Sequence, residues 1–248
     1  MSTTRRTWEA LDLGPWWTVR ASASETTARS DFDAQPETTA RPAATVEPLC
    51  APISVRPEWS ALEEAALGCR RCGLCETRNK VVFGTGSREA RWLIIGEAPG
   101  EQEDLQGEPF VGPAGRLLDQ MLRAIALDRA QDVYITNVLK CRPPRNRDPA
   151  SEEVAQCRPH LIAQMERLSP HIILTLGRFA ATAVLGVDQP LGRLRGQVHL
   201  LEQGGLRIPV VATFHPAYLL RSPLEKARAW SDLRLARRTL AATAPTAG

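Results

Sequence analysis

The chain has no apolar run approaching the roughly 20 residues of a membrane-spanning helix, which excludes a transporter, channel or receptor built on such helices. Charges interrupt residues 1–20 throughout, so that stretch reads as neither signal peptide nor anchor, and a soluble, cytoplasmic protein is expected. A strong charge excess is also missing. The formal net charge is +3, and the first 60 residues hold six basic and eight acidic side chains, so the remainder is slightly basic. That permits a polyanionic partner without demanding one. A nucleotide-binding phosphate loop is absent too: Gly96-Glu97-Ala98-Pro99-Gly100 lacks the following Lys-Ser/Thr and puts an acid, Glu97, where phosphate would approach.

What is present is enough apolar material, 43% of 248 residues, for one substantial core. From Ala21 to Pro48 the chain is rich in Ser, Thr, Ala and Pro and nearly empty of large apolar residues, so it reads as a disordered tail. Trp8, Leu11, Leu13, Trp16 and Trp17 precede it as a possible docking segment for a partner. The expected division is an extension over 1–57, a folded domain over 58–241 and a short tail over 242–248. Within the domain, short apolar runs alternate with helical periodicity, the pattern of an α/β fold. Strands are predicted at residues 92–95, 133–136, 172–176 and 210–213, giving a three-layer α/β/α arrangement around a mostly parallel four-stranded sheet. Helices are expected over 117–125, over 151–168 with a break near Pro159, over 178–185 and over 224–240. Asp148-Pro149 suits an N-cap and first helical position.

The chemically unusual residues fall just beyond the strands. Gly96 to Gly100 follow the first, Asn137 the second, Gly177 the third and Phe214-His215-Pro216 the fourth. Ligands of open α/β sheets bind outside the carboxyl ends of strands, so these loops are expected to converge on one cleft.

Six cysteines in a reducing compartment argue for metal or redox chemistry rather than a disulfide framework. Cys69 and Cys72 form a C-x2-C pair; Cys141 and Cys157 complete a candidate four-thiolate site. Spacing alone suits zinc and an iron-sulfur cluster equally, and a dithiol redox pair is the plain alternative. Cys50 and Cys75 are set aside. Between Cys141 and Cys157 a basic loop carries Arg142, Arg145 and Arg147, with Lys140 just before it; these four are expected to contact DNA backbone, against the plainer reading of a solvated loop held by its prolines.

Taken together, Gly96 to Asp104 with Gly107, Pro109 to Gly112 and Ala114-Gly115, then Asn137 to Pro144 with Asn146-Arg147, then Leu194-Arg195-Gly196, and finally His215 to Arg221, resemble the ordered motifs of the iron-sulfur, family 4 uracil-DNA glycosylases. The resemblance runs from about Cys69 to the last helix. It implies a monofunctional hydrolase acting on uracil-containing DNA, and a structural [4Fe-4S] cluster on Cys69, Cys72, Cys141 and Cys157, with zinc the alternative. It also implies roles. Phe110 would stack on the flipped base, Asn137 would read N3–H and O4, Glu103 would close the pocket around C5, and His215 would stabilise the departing anion near O2. Ala98 would line the uracil pocket. An Asp stands at that position in better-known branches of the superfamily, so Glu97 is left as the carboxylate that could assist. Arg195 joins the expected backbone contacts, and a monomer is expected. His160, His171 and His199 read as structural. Two rivals remain: a protein that traps uracil DNA covalently, for which no His-containing insertion is visible near 140–148, and a non-catalytic iron-sulfur DNA-binding module, which could not release free uracil.

Overall fold

The structure, a computed structural model, describes residues 57–203 and 205–243. The expected tail, the aromatic segment at its start and Cys50 lie outside the described residues. The helices are α1 (Trp59–Leu67), α2 (Leu74–Thr77), α3 (Glu101–Gln106), α4 (Pro113–Ala124), α5 (Ser151–Leu168), α6 (Gly177–Leu185), α7 (Leu191–Leu194), α8 (Pro216–Arg221) and α9 (Lys226–Thr243). The strands are β1 (Thr85–Gly86), β2 (Trp92–Gly96), β3 (Val133–Asn137), β4 (Ile172–Leu176), β5 (Val198–Gln203) and β6 (Leu206–Thr213).

The sheet has six strands in the order β1-β3-β2-β4-β6-β5, not the expected four. Its four central strands run parallel, and both additions pair antiparallel at the edges. The edge strands escape a search for apolar runs for different reasons. β1 is two residues long, and β5 leaves Val198 and Leu200 exposed.

Strand side chains alternate between faces, and that period sorts the core into two clusters. Leu93, Ile95, Tyr134, Ile173 and Val210 join Trp59 of α1, Leu161, Met165 and Leu168 of α5, and Ala180 and Val184 of α6. Trp92, Ile94, Val133, Ile135, Ile172, Leu174 and Val211 face the other way, onto Leu118 and Leu122 of α4, Leu219 of α8 and Leu233 of α9. The result is the expected three-layer α/β/α sandwich. Ile94 and Leu174 are fully buried; truncating either to alanine removes about 2–5 kcal/mol of stability.

Three local expectations fail. α5 runs unbroken through Pro159, so the missing N–H and the ring are accommodated inside the helix. Its N-cap is Ala150, not Asp148, because the Glu153 carboxylate reaches back to accept the Ala150 N–H at 2.8 Å and supplies the satisfaction a polar cap would give. The last helix also runs to Thr243, two residues past the expected domain end.

Candidate active site

The sheet register places the first elements of the site. Gly96 and Asn137 end β2 and β3 and pair directly, and the pairing continues beyond the strands through Val138 N–H to Gly96 O and Leu139 N–H to Glu97 O. A side chain at Gly96 would strike Asn137 Oδ1 and the Phe110 ring, so glycine here makes room for both. Asn137 is buried, and its Oδ1 has no hydrogen-bond partner. A buried acceptor left unmatched costs roughly 1–3 kcal/mol, which a ligand donor can return.

Phe110 adopts a left-handed backbone at φ 57°. Neighbouring groups hold it there. The Glu103 carboxylate accepts the N–H groups of Val111 at 3.1 Å and Gly112 at 3.2 Å, Arg129 donates to Pro109 O, and the Phe110 carbonyl packs where any side chain at Gly115 would collide. The Phe110 ring lies 5.6 Å from the His215 ring, centroid to centroid, at 31°.

His215 caps α8. Its Nδ1 accepts the Ala217 N–H at 3.2 Å, so in the neutral ring the proton sits on Nε2, leaving that nitrogen as a donor. Burial, helped by the charge of Arg221 and opposed by Glu103, pushes the His215 pKa down to about 4. The ring is therefore neutral at physiological pH. Glu97 is shifted the other way: burial and the nearby Asp148 raise its pKa, and Arg178 partly opposes them.

These residues share one cavity of about 450 Å³, lined by Glu97, Ala98, Glu103, Phe110, Asn137 and His215 among others. All six expected base-site residues are thus brought together. Asn146, Tyr218 and Arg221 also line it, although the sequence reading gave them no role; their membership in the matching motifs was the available signal.

The expected DNA-backbone residues divide. Arg142, Arg145 and Arg147 belong to the loop between β3 and α5, where Arg145 is exposed, Arg142 donates to Asn146 Oδ1 at 2.8 Å, and Arg147 lines the cavity while forking onto Glu153. Lys140 is a correction. It is 2% exposed, and its ammonium donates to Thr136 Oγ1 at 2.6 Å and Asn137 O at 2.7 Å, so it braces the end of β3 from inside and cannot meet phosphate. Arg195 is a second correction: it forks onto the buried Asp232, donates to Arg228 O at 2.7 Å and lies over the Phe214 ring. Its guanidinium is spent on positioning Phe214 and the last helix.

Cys69, Cys72, Cys141 and Cys157 border a second, small pocket, and Cys75, set aside earlier, borders it too. Arg78 Nη1 donates to Cys141 Sγ at 3.1 Å, and the Lys140 N–H donates to Cys157 Sγ at 3.3 Å. Burial raises both thiols, Cys141 to about 11, with Arg78 opposing at Cys141 and Lys140 at Cys157. Among the described residues, no three His, Cys, Asp or Glu stand close enough to hold a single metal ion. Soft thiols around a common space, with N–H donors aimed at sulfur, are nevertheless a donor set that fits a thiolate-held cluster. Ala98 and Leu139 pack against this group, so it abuts the base-site loops directly.

Residues 83–234 match the family model of the uracil DNA glycosylase superfamily. The chain is 45% identical over 172 residues to a type-4 uracil-DNA glycosylase of Archaeoglobus fulgidus, covering 68% of this chain and 86% of that protein. It is 44% identical over 163 residues to a type-4 uracil-DNA glycosylase of Thermotoga maritima, covering 65% and 82%. A type-5 uracil-DNA glycosylase of Thermus thermophilus is more distant, 30% identical over 177 residues, covering 64% and 80%.

Proposed function

The chain belongs to the uracil-DNA glycosylase superfamily, alongside its type-4 members, and on that premise we propose that it flips uracil out of DNA and hydrolyses the N-glycosidic bond, initiating base excision repair. One observation carries the reading: a stacking ring, an unmatched amide and a neutral imidazole donor meet in one cavity.

Everting a nucleotide costs roughly a few kcal/mol, which the cavity must recover. Phe110 offers the stacking face, worth about 1–3 kcal/mol per base in comparable systems. Asn137 Oδ1 accepts uracil N3–H while its amide donates to O4; cytosine presents N3 as an acceptor and a donor at C4, and so leaves both groups mismatched. Glu103 closes the slot near C5, where thymine carries a methyl group. As the bond breaks, negative charge gathers on the leaving base near O2, and the His215 Nε2–H stabilises it without needing a proton from solvent. Glu97 assists by positioning water or by facing the cationic sugar. Arg142, Arg145 and Arg147 hold the DNA backbone.

Cys69, Cys72, Cys141 and Cys157 would hold the iron-sulfur cluster, with zinc the alternative. When bound, it would supply a covalent cross-link that fixes the basic loop against α1 and α2, not an electron path to the base. Five free cysteines among the described residues suit a reducing cytoplasm, and the protein is read as a monomer. No described helix is long and apolar enough to cross a membrane.

The deciding experiment incubates the purified protein with oligonucleotides carrying a single uracil or a single thymine and measures free base. Uracil release with thymine left intact supports the reading; binding without release would make the protein a non-catalytic module, and an adduct surviving a denaturing gel would make it a covalent trap. Iron, sulfide and zinc analysis of the same sample decides between cluster and zinc.

A further inference from the structure

A second cavity, of about 320 Å³, adjoins the first and shares Glu97, His215 and Tyr218 with it. Its other walls are Asp148, Gly177, Arg178, Phe179, Leu191 and Phe214. Three of its residues are aromatic. Phe214 and Tyr218 stack at 5.3 Å and 21°, and the Arg195 guanidinium lies 5.0 Å from the Phe214 centroid. Tyr218 is 39% exposed, and Phe179 is half-buried without belonging to either core cluster. The base-site chemistry described above uses none of Phe179, Phe214 or Leu191.

We propose that this second cavity is a subsite for the base of a nucleotide adjacent to the uracil, held against Phe179, so that the enzyme grips two consecutive bases of a single strand. The proposal rests on the reading of the first cavity as the uracil site. Its occupant is argued from continuity: the cavities share Glu97, His215 and Tyr218 as walls, so a strand that places one base in the first presents its next base at the second. Aromatic walls suit any nucleobase, because each base has a π face. Arg178, 59% exposed on the rim and only loosely paired with the exposed Asp188 at 3.8 Å, is a cation that could turn to the linking phosphate. In a duplex the neighbouring base stays paired and stacked, so occupying this subsite would require breaking a second pair; in a single strand it would not. The subsite therefore favours uracil in single-stranded DNA.

The test uses the full chain and single-stranded oligonucleotides with a central uracil, in which the base 5′ or 3′ to it is removed by a tetrahydrofuran substitution. Removing the base on one side is expected to lower kcat/KM by roughly tenfold or more, in line with aromatic stacking on a base. Phe179→Ala and the apolar Phe179→Leu, which keeps a bulky side chain should the alanine variant not fold, are expected to reduce activity on the intact strand to that level and to abolish the response to base removal. Indifference of the wild type to both flanking bases overturns the subsite, as does a Phe179→Leu variant that retains the full response. An equally large response in duplex substrate also overturns it, since the effect would then arise in the DNA stack. Absence of uracil release from every strand overturns the underlying reading of the first cavity instead.

Discussion

The base cavity and the thiol pocket begin four residues apart, at Asn137 and Cys141, yet they are built on opposite terms. At the base cavity the protein leaves an amide oxygen unmatched and a φ of 57° at Phe110, and surrounds about 450 Å³ of open space. At the thiol pocket Cys141 and Cys157 are buried, already hydrogen-bonded at sulfur and packed with Leu74 and Leu139, while Cys69, Cys72 and Cys75 are half-buried. Lys140 sits between them, its ammonium bonded to the carbonyl of Asn137 and its N–H to Cys157. One region is shaped to receive a transient guest, the other to be held shut, and a single buried lysine fixes their spacing.

Substitutions separate the two. The largest effect is expected from His215→Ala, which removes the proposed leaving-group donor: single-turnover uracil release should fall by about 10²–10³-fold, while Tm drops by only a few degrees through the lost α8 cap and the metal content stays near wild type. Loss of metal in that variant would break the division. If the proposed metal site is held by these thiols, Cys141→Ser should do the reverse, lowering Tm by roughly 5 °C or more and reducing the metal content, with activity falling only in proportion to the protein that remains folded. The smallest effect concerns pH. Asp148 helps to raise the Glu97 pKa, so Asp148→Asn should move the acid limb of the rate profile to lower pH if ionised Glu97 assists catalysis. The neutral His215 contributes no limb near 6.5, because its pKa lies at about 4 and it is already deprotonated throughout the neutral range. An acid limb unmoved by Asp148→Asn would remove Glu97 from the mechanism.

The four central strands were legible because each is a short apolar run buried on both faces, and their order of loops located the cleft. β1 and β5 carry no such signal, since an edge strand is specified by its neighbour more than by its own apolar content. Phe110, Asn137 and His215 could be placed together from strand ends and motifs. Lys140 could not be read correctly, because a cation beside an arginine-rich loop looks solvent-directed. Its burial depends on Thr136 and a main-chain carbonyl one helical-like turn earlier, a contact that charge patterning does not reveal. Arg195 misleads in the same way: its partner Asp232 lies 37 residues downstream. Pro159 shows the limit of a local rule, for the helix around it is held by its packing through Leu161 and Met165.

The left-handed backbone of Phe110 costs about 1–3 kcal/mol wherever an ordinary side chain adopts it. Glu103, Arg129 and Gly115 meet that cost during folding, long before DNA arrives. The ring is therefore a fixed anvil rather than a closing jaw: its backbone has no further rearrangement to make when a guest enters the cavity.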